Sequence, residues 1–335
     1  MRRTAIMKKQ FARVMGYCTW TTQSPKPQKK YRENDEAPRN KYRTVDGRLY
    51  LNIADSQYPM PVYDEEEMER LALQHAVFKH FWHGLYSSPI TELLHVGGAK
   101  VLDSGSGTGS WVIDMSIDFP RSEFVGIDIS PMSPTTNLPH NVSFFDCNIL
   151  EGLPFAADSF DYVRQGLLFE AFTEQQWETH VVNELVRVTR VGGWIEFMEG
   201  YCSFVNPGRV TKRLTNAFST FLKSKGISMR FEDNLTTYLE NTCRLSNISY
   251  EEQQIPLGKR GGRFGELALK NLIWTWFALK QPLADTMCIS SEHFDALIET
   301  FVREATENRT EWRTFRVFAQ KTRRNVDSAI DIMTQ

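Results

Sequence analysis

Apolar residues recur with two different periods along the chain, and the period changes many times. Short runs of β-branched and aromatic residues predict seven strands, at 100–103, 123–128, 142–145, 162–164, 194–198, 248–255 and 315–320. Apolar residues spaced three or four positions apart predict helices, at 64–86, 109–119, 174–190, 209–225, 231–241, 265–280 and 291–308. Because strands separated by helices imply parallel crossovers, we expect an α/β fold with a mostly parallel seven-stranded sheet, helices on both faces and a helical cap.

The first predicted strand runs directly into a glycine-rich turn. Asp103, Gly105, Gly107 and Gly109 form an Asp-x-Gly-x-Gly-x-Gly pattern just before a predicted helix. Glycine has no Cβ atom and adopts positive φ, so a ligand can lie against the backbone, near the free N–H groups of the helix start. A dinucleotide-binding loop would carry Gly or Ala where this chain has Ser110. The spacing therefore departs from the NAD pattern.

This turn resembles motif I of class I S-adenosylmethionine-dependent methyltransferases, and the segment Val-Gly-Ile-Asp128-Ile129-Ser resembles the end of their second strand. An ionised carboxylate at such a strand end can accept hydrogen bonds from both hydroxyls of a ribose. An NAD-binding protein would also carry an acid about 20 residues downstream, so Asp128 alone does not separate the two classes. The resemblance implies a Rossmann-like methyltransferase with S-adenosylmethionine as its cofactor. It also implies that Asp128 binds the ribose beside Ile129, and that Asp103 attracts the methionine ammonium group. The residues expected beside the methionine carboxylate are Gly105, Ser106, Gly107 and Gly109.

A third segment, 141–163, resembles the part of this family in which the third strand ends at the adenine and a Leu-Pro-Phe, Ser-Phe-Asp loop follows. Aligned on that loop, Asn148 takes the adenine-contacting position, and Asp146 is the alternative. Asn can both accept and donate hydrogen bonds, whereas an ionised Asp can only accept, so we favour Asn148. Alternatively, one of these side chains only terminates the strand by bonding to the backbone.

The resemblance extends over residues 58–321. The helix at 64–86, with its Arg70-Leu71 and Gln74-His75 pairs, is similar to the N-terminal helix of fungal LaeA-type methyltransferases. It implies methyl transfer to an oxygen or nitrogen nucleophile of a small-molecule or protein acceptor, by in-line displacement. The alternative is a LaeA-like regulator of fungal secondary metabolism that binds the cofactor but acts mainly through protein partners.

No catalytic residue can be named from the sequence, because in-line methyl transfer needs mainly alignment and exclusion of water. His75, with His80 and His83 on the same predicted helix, is either a general base or substrate contact, or a histidine that packs the helix. The glycine-rich segment 258–263 lacks the Lys-Ser/Thr of a phosphate-binding loop, so we expect a hinge or lid. Four aromatic residues either pack the core or line an acceptor pocket: Phe264, Trp274, Trp276 and Phe277.

Charge is unevenly distributed along the chain. Residues 1–48 hold 13 of the 39 basic residues but only 4 of the 41 acidic ones. This composition predicts a basic, disordered arm at 1–48, followed by a methyltransferase domain at 49–321 and a polar tail at 322–335. The basic residues of 1–17 are typical of a solvated tail, of a nuclear or nucleic-acid-contacting segment, or of a mitochondrial presequence. We expect a cytoplasmic or nuclear protein without a nucleic-acid partner.

The cysteines and the apolar runs exclude two further classes. The 5 cysteines show no paired spacing and no histidine partners, which predicts a reducing compartment and no bound metal. The longest apolar run without a charge, 272–279, is far shorter than the roughly 20 residues of a membrane span. We therefore expect no membrane association.

Overall fold

The computed structural model describes residues 41–45, 47–62, 64–130 and 132–323. A seven-stranded sheet forms its centre. The strands are β3 (Lys100–Ser104), β4 (Glu123–Asp128), β5 (Val142–Asp146), β6 (Phe160–Gly166), β7 (Thr189–Val205), β8 (Leu245–Pro256) and β9 (Glu311–Lys321). Their order is β5-β4-β3-β6-β7-β9-β8. The five strands from β5 to β7 are parallel, and β9 lies antiparallel between β7 and β8. The predicted mostly parallel α/β sheet is confirmed.

The helices follow the predicted segments with shifts at their ends, except that the short helix at 91–96 was not predicted. They are α1 (Glu65–Phe81), α2 (Thr91–Val96), α3 (Ser110–Asp118), α4 (Glu174–Gln176), α5 (Val182–Val188), α6 (Arg209–Ser224), α7 (Phe231–Asn241), α8 (Gly262–Ala278), α9 (Lys280–Thr286) and α10 (Ser291–Glu307). A π-helical turn, Trp177–Val181, joins α4 to α5. The predicted helix at 265–280 begins three residues earlier, at Gly262, and α9 follows it as a separate helix.

Alternate residues of β3 place helices on both faces of the sheet. Val101 packs into a cluster with residues of α2 and α3, whereas its neighbour Leu102 packs into a cluster with residues of α5 and α7. Successive strand side chains point to opposite faces, so the two clusters are the two layers of the sandwich. A third cluster joins α1 to α6, α8, α9 and α10 and forms the predicted helical cap.

A two-stranded hairpin precedes α1 in the chain. Strand β1 (Tyr42–Val45) pairs antiparallel with β2 (Arg48–Leu51), and Val62 bridges to Leu49. The last residues of the predicted arm thus form regular structure, and the predicted domain boundary at 49 falls inside β2. The arm over residues 1–40 and the tail from 324 onward lie outside the described residues.

Candidate active site

The loop between β3 and α3 is built around three glycines with positive φ. Gly105, Gly107 and Gly109 have φ of +72°, +52° and +72°. A Cβ atom would lie 2.1 Å from Leu168 Cδ1 at Gly105, and 2.4 Å from the Phe144 ring at Gly109. At Gly107 the same atom would meet only Leu71, at 3.8 Å. Two of the glycines therefore permit close packing, and Gly107 faces the open cavity.

Asp128 connects the end of β4 to this loop. Its Oδ2 accepts a hydrogen bond from the Gly107 N–H at 2.8 Å, and its Oδ1 accepts one from the Ser130 N–H at 2.8 Å. Burial raises the pKa of Asp128 to about 6. Each carboxylate oxygen has a second lone pair, so the side chain can also accept from ligand hydroxyls. Asp128 and Ile129 both line the cavity, as the ribose assignment requires.

Asp103 has a cationic partner that the sequence analysis missed. Arg164 Nη1 donates to Asp103 Oδ1 at 2.6 Å, and the carboxylate is 1% exposed. The two residues face each other in the parallel register of β3 and β6, and the Arg164 guanidinium lies 4.9 Å from the Trp111 ring centroid. Both side chains line the cavity. An ammonium group would therefore meet a carboxylate that is already paired. The single signal in the sequence is that the predicted strand 162–164 ends in a charged residue, Arg164.

Asn148 lies at the cavity but is also a helix cap. Its Oδ1 accepts from the Leu150 N–H at 3.1 Å, and its Nδ2 donates to Glu151 Oε1 at 3.0 Å. The side chain thus makes the backbone bond that we considered as the alternative role. It lines the cavity together with Cys147, whereas Asp146 is exposed at the end of β5. The position is compatible with the predicted adenine contact, which stays a prediction.

These residues surround one cavity of about 250 Å³, which lies at the carboxyl ends of β3, β4 and β6. Its first part, the loop zone, consists of the glycine loop, Asp128 and the Asp103–Arg164 pair. Its second part, the aromatic zone, reaches beneath the cap and is walled by Tyr58, Phe78, Phe169, Phe204, Phe218, Trp276 and Trp312. Of the four aromatic residues singled out from the sequence, Trp276 lines this zone. Phe264 instead stacks on His80, with ring centroids 3.9 Å apart.

Of the three histidines, His75 lines the cavity. Its Nε2 lies 2.9 Å from Asp114 Oδ2, which also accepts from Lys79 at 2.8 Å. The hydrogen bond from His75, together with Lys79, lowers the pKa of Asp114 to about 2. This carboxylate orients the imidazole. A role for His75 as a base stays a prediction.

Two kinds of feature, a metal site and a membrane-spanning helix, are absent from the described residues. No group of three or more His, Cys, Asp or Glu side chains in these ranges is arranged to hold a metal ion. Over the same part of the chain, no helix is both long and apolar enough to cross a membrane.

The loop zone fits S-adenosylmethionine. A side chain at Gly107 would fill the space beside the loop, so the bare backbone is open to the methionine end of a ligand. Asp128 provides acceptors for a diol, and Ile129 and Leu150 provide apolar surface for a ring. Arg164 and Asp103 together offer both charges to an amino-acid zwitterion.

Comparisons with known proteins agree with this geometry. A family model described as "Methyltransferase domain" matches residues 101–193. The chain is 32% identical to N-methyltransferase verN of Clonostachys rogersoniana, over 41% of this chain and 48% of that protein. It is 28% identical to N-methyltransferase sirN of Leptosphaeria maculans, over 72% and 87%. It is also 27% identical to the secondary metabolism regulator laeA of Coprinopsis cinerea, over 63% and 56%. The match thus spans about half of the first and third relatives and most of the second.

Proposed function

Because the chain belongs to the class I S-adenosylmethionine-dependent methyltransferases of the LaeA type, we propose that it transfers a methyl group to a nitrogen or oxygen nucleophile of a small acceptor with a largely apolar body. The observation that carries the proposal is that the loop zone and the aromatic zone belong to one cavity. An acceptor in the aromatic zone would lie beside a cofactor held at the loop. Two of the relatives are named N-methyltransferases, which favours nitrogen.

The protein's contribution to such a reaction is alignment and exclusion of water. S-adenosylmethionine supplies an electrophilic methyl group on a sulfonium ion. Asp128 would hold the ribose of the cofactor, and the loop around Gly107 together with the Asp103–Arg164 pair would hold its charged methionine end. The aromatic walls exclude water and orient an apolar acceptor. In-line displacement is fast when the reacting atoms are held about 3 to 3.5 Å apart.

Two measurements on the purified full chain test this proposal. Calorimetric titration should show binding of S-adenosylmethionine. Incubation with S-adenosylmethionine and a panel of small aromatic amines and alcohols should release S-adenosylhomocysteine. Binding of NAD without binding of S-adenosylmethionine would contradict the proposal.

A LaeA-like regulatory role, in the cytoplasm or the nucleus, is the second candidate, and the similarity to the laeA regulator favours it. Such a protein would bind the cofactor but act through protein partners. Cofactor binding without release of S-adenosylhomocysteine from any small or protein acceptor, together with a stable protein complex, would favour this second role.

A further inference from the structure

The cationic side chains that line the cavity already have carboxylate partners among the described residues. Arg70 makes a two-point contact with Glu67, with N–O distances of 2.9 and 2.6 Å. The other pairs are Arg164 with Asp103 at 2.6 Å, Lys79 with Asp114 at 2.8 Å and Arg316 with Glu196 at 3.6 Å. Among the residues that the structure describes, these pairs leave no cation in the cavity wall that is free to pair with a further carboxylate.

Glu170 is such a carboxylate. It lies in the 3₁₀ turn Phe169–Ala171 after β6, and it lines the same cavity. Within the described ranges, its side chain makes neither an ion pair nor a hydrogen bond. Arg70 acts on it electrostatically but is already held by Glu67, and burial raises the pKa of Glu170 to about 7. A carboxylate in a largely apolar wall is costly unless another group compensates its charge.

The turn that carries Glu170 is fixed against the glycine loop. Leu168 packs on Gly105 so closely that no side chain fits there. The Leu168 N–H donates to Glu199 Oε1 at 2.9 Å, and the Leu167 N–H donates to the Met198 carbonyl at 2.8 Å. Phe169, the neighbour of Glu170, belongs to the aromatic zone. Glu170 therefore lies where the loop zone meets the aromatic zone.

We propose that Glu170 is the acceptor-binding carboxylate of this site and that it selects an amine on an apolar or aromatic body as the methyl acceptor. This inference rests on the proposed function. The ammonium form of the amine supplies the missing counterion, and its apolar body fits among the aromatic side chains. Alcohols of the same shape bring no charge, and carboxylic acids bring the wrong one.

The same carboxylate accounts for the proton in the transfer step. The bound ammonium group first gives one proton to the carboxylate of Glu170, which leaves a neutral nitrogen with a lone pair. That lone pair forms the bond to the methyl carbon, and the electron pair of the carbon–sulfur bond stays on sulfur as S-adenosylhomocysteine forms. The methylated product leaves as an ammonium ion, and the protonated Glu170 then releases its proton to solvent.

The test compares three ligands of one shape that differ in charge, namely tryptamine, tryptophol and indole-3-acetate. Calorimetry on the full chain saturated with S-adenosylhomocysteine should show tryptamine binding at least 10-fold more tightly than the other two. In Glu170→Gln, which keeps the shape and removes the charge, this preference should disappear. Glu178→Gln, an exposed position on the following helical segment, is the matched control and should behave as the unmodified protein does.

Three outcomes would overturn the inference. They are equal binding of the alcohol or the acid, a preference that survives in a folded Glu170→Gln protein, and no binding of the amine at all. Affinity for S-adenosylmethionine is measured on the same protein preparations before S-adenosylhomocysteine is added. If that affinity is absent from the unmodified protein, the proposed function fails. If it is present without the amine preference, only the assignment of Glu170 fails.

Discussion

Among single residues, the three glycines of the loop have different roles in the structure, and the sequence pattern does not distinguish these roles. Gly105 and Gly109 allow Leu168 and Phe144 to pack against the backbone, and Gly107 leaves space in the cavity. Substitution at the first two positions should therefore disturb folding, because backbone and neighbour would both have to move. Substitution at Gly107 should disturb ligand binding instead.

Gly107→Asp should reduce the affinity for S-adenosylmethionine by more than 10-fold, because its carboxylate would occupy the ligand's space and repel the methionine carboxylate. Gly98→Asp is the matched control, since Gly98 also has a positive φ and a Cβ atom added there would meet nothing within 4 Å, but it does not line the cavity. Calorimetry measures affinity, and circular dichroism shows whether each variant is folded. Unchanged affinity in a folded Gly107→Asp protein would refute the loop assignment.

Asp128→Ala should weaken S-adenosylmethionine binding by about 1.5 to 3 kcal/mol, the scale of lost hydrogen bonds to a charged group. The substitution also leaves the N–H groups of Gly107 and Ser130 without their acceptor. Asp128→Asn keeps one acceptor oxygen and should lose less. Calorimetry with each variant checks this order, and a folded alanine variant that binds as well as the unmodified protein would exclude the ribose role.

Among the elements, α1 was correctly predicted as a helix, but the residue at which it ends was predicted wrongly. Asp64 caps the helix as predicted, and its Oδ1 accepts from the Glu66 N–H at 2.9 Å. The apolar spacing continues to Leu85, yet the helix ends at Phe81. Phe78 packs in the cap cluster, whereas Leu85 packs in the cluster of α2 and α3. The chain turns between them because it passes from one core to another.

The contact between β7 and the turn after β6 gives a prediction for pH dependence. Glu199 in β7 is 0% exposed, and burial raises its pKa from 4.5 to about 8. Between pH 4.5 and 8 the folded protein keeps this proton and the unfolded chain releases it. Stability from this group is therefore complete at low pH and is lost as the pH rises through that window. The loss should amount to a few kcal/mol.

Glu199→Gln cannot ionise, so its melting temperature relative to the unmodified protein should rise between pH 5 and pH 8 and then level off. The amide oxygen can still accept from the Leu168 N–H, which keeps the turn in place. Scanning calorimetry at several pH values measures the difference. A difference that is independent of pH would show that Glu199 ionises equally in the folded and unfolded states.

At the scale of the whole molecule, the site is assembled from distant parts of the chain. Tyr58, Met60 and Val62 from the segment after the hairpin line the same cavity as the glycine loop and the cap. The segment is held at several points, for example where Gln176 Nε2 donates to the Asp55 carbonyl at 2.9 Å. The described part of the N-terminal region therefore belongs to the active-site architecture.

Deletion of residues 1–40 should leave S-adenosylmethionine affinity and melting temperature nearly unchanged, because it spares the hairpin and the cavity wall. Deletion of residues 1–52 removes both strands of the hairpin together with Leu51 of the cavity wall. That longer deletion should lower the melting temperature by several degrees. Thermal unfolding and calorimetry of both proteins check this contrast, and a loss of affinity in the shorter deletion would show that the arm is part of the fold.

Most of the elements, the sheet class, the glycine loop and the acids at the strand ends could be predicted from the sequence. These features depend on local spacing and on the backbone needs of single turns. Only the folded structure shows that Arg164 faces Asp103, that Leu168 packs on Gly105 and that Glu170 has no ion-pair partner among the described residues. Those facts depend on parallel register and on packing between segments more than 60 residues apart, and local patterns carry no information about either. Which charged side chains of the site pair with each other can therefore be known only once the pairing of the strands is known.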